Sequence, residues 1–302
     1  MNNKITKRRI ITFFTYDFLK VVAIAVIVCL VINIIFGVVS DKPSKGQILC
    51  ILYSDDLIVG SDANKPLEKA KYNKDANKGY SYELVDIDAK QLFAGDTSSF
   101  SMLNTYAQIG EDDFLITSDN LARGYLEAFY AEDFDLYIEN ALKYLYDNNF
   151  YDESGNFNQQ AVESYFDVTY KKDKRFKTSK QIEEGKIQEI KRIKTIYNNA
   201  TLLKSVFKDN PQIFAENYFE FTIQNITFNG RYAIDVSKLS GGEFKVENAF
   251  KRAVVNTENN EVTYTSEGIY LMLGDNEDVN GHLHYENLSY LVGFLEAFSN
   301  LI

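Results

Sequence analysis

Two short polar stretches carry residue types suited to holding a small ligand. Tyr53, Ser54, Asp55 and Asp56 close the apolar run 47–53 (QILCILY), and Ser118, Asp119 and Asn120 follow the run 114–117 (FLIT). Hydroxyl, carboxylate and amide groups together offer both donors and acceptors. In open α/β sheets ligands gather beyond the carboxyl ends of parallel strands, so these seven residues are the expected floor of a ligand site. The same side chains also have a plainer use. Ser118 or Asp119 would cap a following helix, and Asp55 and Asp56 would be solvated turn residues.

Other constellations fall short of chemistry. His282 and His284, the only histidines, stand two apart after the acidic stretch 275–278, a spacing that aims both rings one way from an extended segment. Read as a calcium loop, that stretch puts Asn276, Asp278, Asn280 and Gly281 in register but has Asn287 where position twelve requires Glu. Starting at Asp152 brings Ser154, Asn156 and Glu163 into register and leaves Phe157 in the glycine position. Neither stretch predicts a bound metal, and no cofactor is expected. The segments 205–208 (SVFK) and 118–120 (SDN) share letters with the serine motifs of penicillin-interacting enzymes, but in reversed order and with no Lys-Thr-Gly. With no Cys–His pair, nucleophile elbow or phosphate loop, binding is expected rather than catalysis.

One charge feature is set apart from the rest. Lys171, Lys172, Lys174, Arg175, Lys177 and Lys180 fall within ten residues that hold a single acid, Asp173. Extended to Lys194, the stretch carries ten basic and four acidic residues. Such a patch would meet an anionic lipid, a wall polymer or an acidic partner, with an affinity that falls as salt rises. A solvated helix face is the alternative.

These groups are set in a chain of 302 residues whose first forty decide its topology. Residues 21–39 (VVAIAVIVCLVINIIFGVV) contain one polar side chain, Asn33. At about 1.5 Å per residue they match a hydrocarbon core of roughly 30 Å. Lys4, Lys7, Arg8, Arg9 and Lys20 precede the run against Asp17, so the amino terminus is expected in the cytoplasm and everything after Ser40 outside the cell membrane. A cleaved signal peptide is the competing reading, since Val38 and Ser40 are small, but the apolar run exceeds an ordinary signal core. Cys29 lacks the small residue that a lipidation motif would place before it.

The first forty residues hold five of the 32 basic and one of the 43 acidic residues, which leaves 27 against 42, a net of −15 on the exported part. That balance argues against nucleic acid as a partner. Cys50 is the only exported cysteine, so no disulfide can form within this part, and stability must come from a packed core. The polar linker 41–46 leads into a strand at 47–53. A loop is expected over 57–79, a second strand over 80–87, and a helix over 98–109. The third strand is expected at 114–117 and one long helix over 121–146. A polar helical stretch follows over 159–216, then strand-like runs at 214–228, 232–236, 261–265 and 268–273, and a closing amphipathic helix from Tyr285. Strands alternating with helices predict an α/β fold with a largely parallel sheet.

Segment 99–138 resembles the extracellular solute-binding proteins of the type-2 periplasmic-binding fold. There, a helix ending near a Gly–Asp pair leads into a short strand and a second helix. Gly110, Asp112, Asp113, Phe114, Leu115, Ile116 and Ser118 occupy those places, and 128–136 stands near the turn that closes the second helix. The runs 232–236 and 268–273 and the closing helix look like the returning part of that fold. The likeness rests on hydrophobic patterns and covers about half of the exported part. It departs from the family after Asp152 to Gly155, where the helical stretch 159–216 replaces an expected strand. The resemblance implies an anchored, solute-binding-like module that serves a membrane transporter or envelope complex. A rebuilt second lobe implies instead an interaction protein that docks a membrane partner through 159–216.

Overall fold

The computed structural model describes residues 48–66, 86–92, 98–171, 176–218, 220–223, 226–257, 260–275 and 284–302. The chain divides into two units, Met1–Ser44 and Lys45–Ile302, and every described element belongs to the second. The expected span over 21–39 and the linker lie outside the described residues. Among the described residues no helix is long and apolar enough to cross a membrane.

In chain order, β1 (Ile48–Tyr53), β2 (Leu57–Val59) and β3 (Asp86–Gln91) precede helix α1 (Ser99–Ile109) and β4 (Phe114–Ser118). Helix α2 (Asp119–Glu127), the short β5 (Ala131–Glu132) and α3 (Phe134–Asp147) follow, then α4 (Gln159–Thr169) and the 31-residue α5 (Ser179–Asp209). The hairpin β6 (Glu220–Ile223) and β7 (Ile226–Asn229) leads to β8 (Ala233–Asp235) and the single turn α6 (Val246–Ala249). The chain ends through β9 (Phe250–Val255), β10 (Val262–Thr265), β11 (Ile269–Gly274) and α7 (Asn287–Phe298).

Burial explains why the apolar runs become strands. Residues 49–53, 114–118 and 269–274 are buried without a break, which suits strands covered on both faces. β1 pairs in parallel with β3 on one side and with β4 on the other, Tyr53 lying opposite Ile116. β11 returns antiparallel beside β4, with Leu271 opposite Ile116, and its far edge takes both β8 and β5. The result is a mixed six-stranded sheet within an α/β fold.

Side chains alternate across this sheet with a period of two. Leu49, Ile51, Tyr53, Phe114, Ile116 and Leu271 face the larger core, built with α3, α5 and α7. Cys50, Leu52, Leu115 and Met272 face the smaller one, with Leu103 of α1 and Tyr125 and Leu126 of α2. Helix α5 is started by a capping box between Thr178 and Gln181, and it buries Ile193, Ile196, Ala200, Leu203 and Phe207 against α3 and α7. Helix α1 closes on Gly110 at φ 67, which glycine adopts without steric cost.

Several elements differ from the sequence reading for identifiable reasons. The single helix expected over 121–146 is two, because Phe129 turns at φ 60, Ala131 and Glu132 pair with β11, and Asp133 caps α3 by accepting the Leu136 N–H at 2.8 Å. The expected loop at 57–79 contains β2. In place of the expected strand 214–228, a 3-10 turn at Glu216–Tyr218, preceded by another at Pro211–Ile213, leads into the hairpin of β6 and β7. Of the second strand expected over 80–87, only the end is described, as the start of β3. β9 had no counterpart in the sequence reading. It lies between β2 and β10 and pairs with each in a second, three-stranded antiparallel sheet.

Candidate functional site

The parallel pairing of β1 with β4 brings the two predicted turns together. The Ser54 N–H donates to the Ile116 carbonyl at 3.0 Å, extending the ladder by one bond. Ser54 Oγ, fully buried, donates to Asp56 Oδ1 at 2.6 Å, and Ser118 Oγ donates to Asp56 Oδ2. One carboxylate thus clasps a hydroxyl from each turn. Ser118 stands at the N-cap position of α2, but its side chain makes no cap bond, being turned to Asp56. Asp119 sits in the first turn of α2, where a negative charge is favourable, and accepts the Tyr218 hydroxyl at 2.5 Å. Burial, followed by that bond and the Asp119 charge, holds the Tyr218 phenol well above its ordinary range. Tyr270 of β11 packs edge-on against Tyr218 with ring centroids 5.1 Å apart.

The remaining predicted residues divide. Asp55 is exposed in the turn. Asn120 lies in the first turn of α2, and its side chain is outside the described set. Tyr53 points away from both turns. It follows Leu49 and Ile51 onto the larger core, with its ring 6.0 Å from Phe250, and burial raises its phenol. Of the basic patch, Lys171, Lys177 and Lys180 are exposed, and Lys180 makes only a loose pair with Glu184 at 3.7 Å. Lys172, Lys174 and Arg175 lie outside the described residues.

The calcium-like register at Asp152 is a closed turn. Asp152 Oδ1 accepts the N–H groups of Ser154 and Asn156 at 2.9 and 2.8 Å, and Oδ2 accepts Asn156 Nδ2 at 2.9 Å. These bonds hold its carboxyl below the usual range. Beside it lies a concavity of about 650 Å³ bordered by Tyr146, Asp147, Glu153 and Phe157. Among the described residues no three His, Cys, Asp or Glu side chains are placed to hold a metal. His282 is outside the described residues, and His284 opens the 3-10 turn before α7.

Two features escaped the sequence reading. At the amino end of the sheet, Asp113 accepts the Cys50 N–H at 2.7 Å and Asn287 Nδ2 at 3.0 Å, tying α7 to β1 and β4. Next to it, Asp112 accepts the Tyr125 hydroxyl at 2.8 Å. Burial, opposed by that bond and reinforced by Asp113 and Asp275, raises the Asp112 carboxyl to about 7. The second feature is an ion cluster inside the helical layer. Arg192 of α5, 1 % exposed, donates from Nη1 to Glu189 Oε1 at 2.9 Å and from Nε to Glu286 Oε1 at 2.5 Å. Its signal was present in the sequence. Glu189 and Arg192 interrupt the isoleucine stripe of α5 at positions that a 3.6-residue period turns inward.

No protein-family model matches this chain, nor does any curated protein or solved structure.

Proposed function

We propose that this chain is a membrane-tethered interaction protein, an accessory of an envelope complex, built on a solute-binding-like sheet whose ligand end is closed upon itself. The observation that carries this reading is the clasp of Ser54 and Ser118 by Asp56. The hydroxyls that would greet a solute are spent on a carboxylate of the same chain, and Asp119 is spent on Tyr218. Two exposed surfaces support the reading. Ile58, Val255, Val262 and Tyr264 are all exposed on the three-stranded sheet, and the cross-strand register sets Val255 opposite Val262 on one face. An apolar face of that kind is a common mark of a partner surface. The lysines at the junction of α4 and α5 add charge of the sign opposite to the rest of the exported part.

The test uses the full chain extracted from membranes in mild detergent. Replacing Lys171, Lys177 and Lys180 by Glu should remove a co-purifying partner while the circular dichroism spectrum stays unchanged. A partner retained through that reversal, and through reversal of all six bases, would count against docking by the patch.

A second reading, solute binding at the same turns, is supported by their position at the carboxyl ends of the parallel strands β1 and β4. It requires a solute that raises the melting temperature of the native chain and fails to do so once Asp56→Ala removes the clasp.

A further inference from the structure

The Glu189–Arg192–Glu286 cluster has more carboxylate than its one guanidinium can balance. Glu189 and Arg192 lie one turn apart on α5, and Glu286 comes from the 3-10 turn that leads into α7. All three are buried, at 0 %, 1 % and 4 % exposure. Each carboxylate gives one oxygen to Arg192. Glu189 Oε2, Glu286 Oε2 and Arg192 Nη2 have no hydrogen-bond partner in the protein. Among the described residues, the groups that face the cluster from other elements are phenols: Tyr137 and Tyr144 of α3, Tyr165 of α4 and Tyr170 just after it. They bring no second cation. With both carboxyls ionised, the cluster would hold an uncompensated negative charge out of water, which is strongly unfavourable.

We propose that this cluster is a proton-operated latch: one proton on Glu286 keeps α5 seated on the turn into α7, and loss of that proton loosens the junction between the helical layer and the closing helix. The proton completes the balance of one anion to one cation, and an unpartnered carboxylate oxygen is available to carry it. Burial, only partly offset by Arg192, raises the Glu286 carboxyl to about 7, so the proton is held through the mildly acidic range and released just above neutrality. Elsewhere across the same junction Asn199 Nδ2 donates to Ser289 Oγ at 2.9 Å. An opened junction would expose part of the face where α7 meets α5, a change that an envelope protein facing the external medium would register as pH.

Amide hydrogen exchange on the full chain in detergent, corrected for the intrinsic pH dependence of exchange, tests the proposal. Between pH 6 and pH 8.5, protection of 186–196 and 284–292 should fall by about tenfold relative to residues 114–118, the change expected as a group titrating near 7 loses its proton. Glu286→Gln leaves one carboxylate for one guanidinium and should abolish the fall. Glu189→Gln should do the same by the opposite route and serves if the first variant does not fold. Asp112→Asn, which removes another carboxyl raised to about 7, should leave the fall intact. Protection that stays flat in the native chain overturns the proposal, and so does a fall that persists in either glutamine variant.

Discussion

The carboxyl-end turns and the interior of the helical layer handle carboxylates in opposite ways. At the turns, Asp56 is exposed and bonded through both oxygens, and Asp119 is bonded to Tyr218. In the helical layer, two glutamates share one arginine, and each keeps an oxygen without a protein partner. Water and short hydrogen bonds make the first arrangement undemanding. The second depends on charge balance in a place water does not reach. The position that fold conventions single out is therefore chemically quiet, and the sensitive chemistry sits where a packed helix would ordinarily hold leucine.

The contrast predicts a ladder of effects. Arg192→Met strands two buried carboxyls and should cost about 3–5 kcal/mol in chemical denaturation, whereas replacing all three members by well-packed apolar residues should recover most of that loss. A recovery of nothing would mean the cluster stabilises by more than balance. Next comes pH. Asp112 and Glu286 both titrate near 7 when folded and near the ordinary carboxylate range when unfolded. Between those limits the folded chain holds protons that the unfolded chain has released, so stability is fully present at about pH 4 and is lost as pH rises through 7. The two together should produce a melting temperature that falls steadily from pH 4 to pH 8. Ser118→Ala removes one arm of the clasp and should cost about 1 kcal/mol. Asp55→Asn, at an exposed turn position, should stay within about 0.5 kcal/mol of the native chain in the same denaturation assay. An inverted order, with the turn variants costing more than Arg192→Met, would break the comparison.

How far the sequence revealed this depends on whether the deciding contacts are local. β4 was legible because its apolar run is bounded by Asp112 and Asp113 before it and by Asp119 after it, and the closing helix because Leu288, Leu291, Leu295 and Phe298 repeat with the helical period. The break between α2 and α3 was not, since Ala131 and Glu132 extend only because β11, about 140 residues later, offers its edge. β9 was hidden by Lys251 and Arg252, which mask the alternation. At the site, the spacing brought Ser54, Asp56 and Ser118 to one place. It could not tell that they would bond each other, or that Tyr218, 99 residues from Asp119, would satisfy it.

β1 carries one further consequence. It is the first described strand of the unit Lys45–Ile302, and it is also an interior one, hydrogen-bonded along its length to β3 and over its second half to β4. Ladder bonds run across the strand axis. A pull along the chain at Ile48 therefore loads both ladders in shear, so that many bonds must fail at once instead of opening one by one from a free edge. A unit loaded through such a strand would resist extension better than one loaded through an edge strand or a terminal helix.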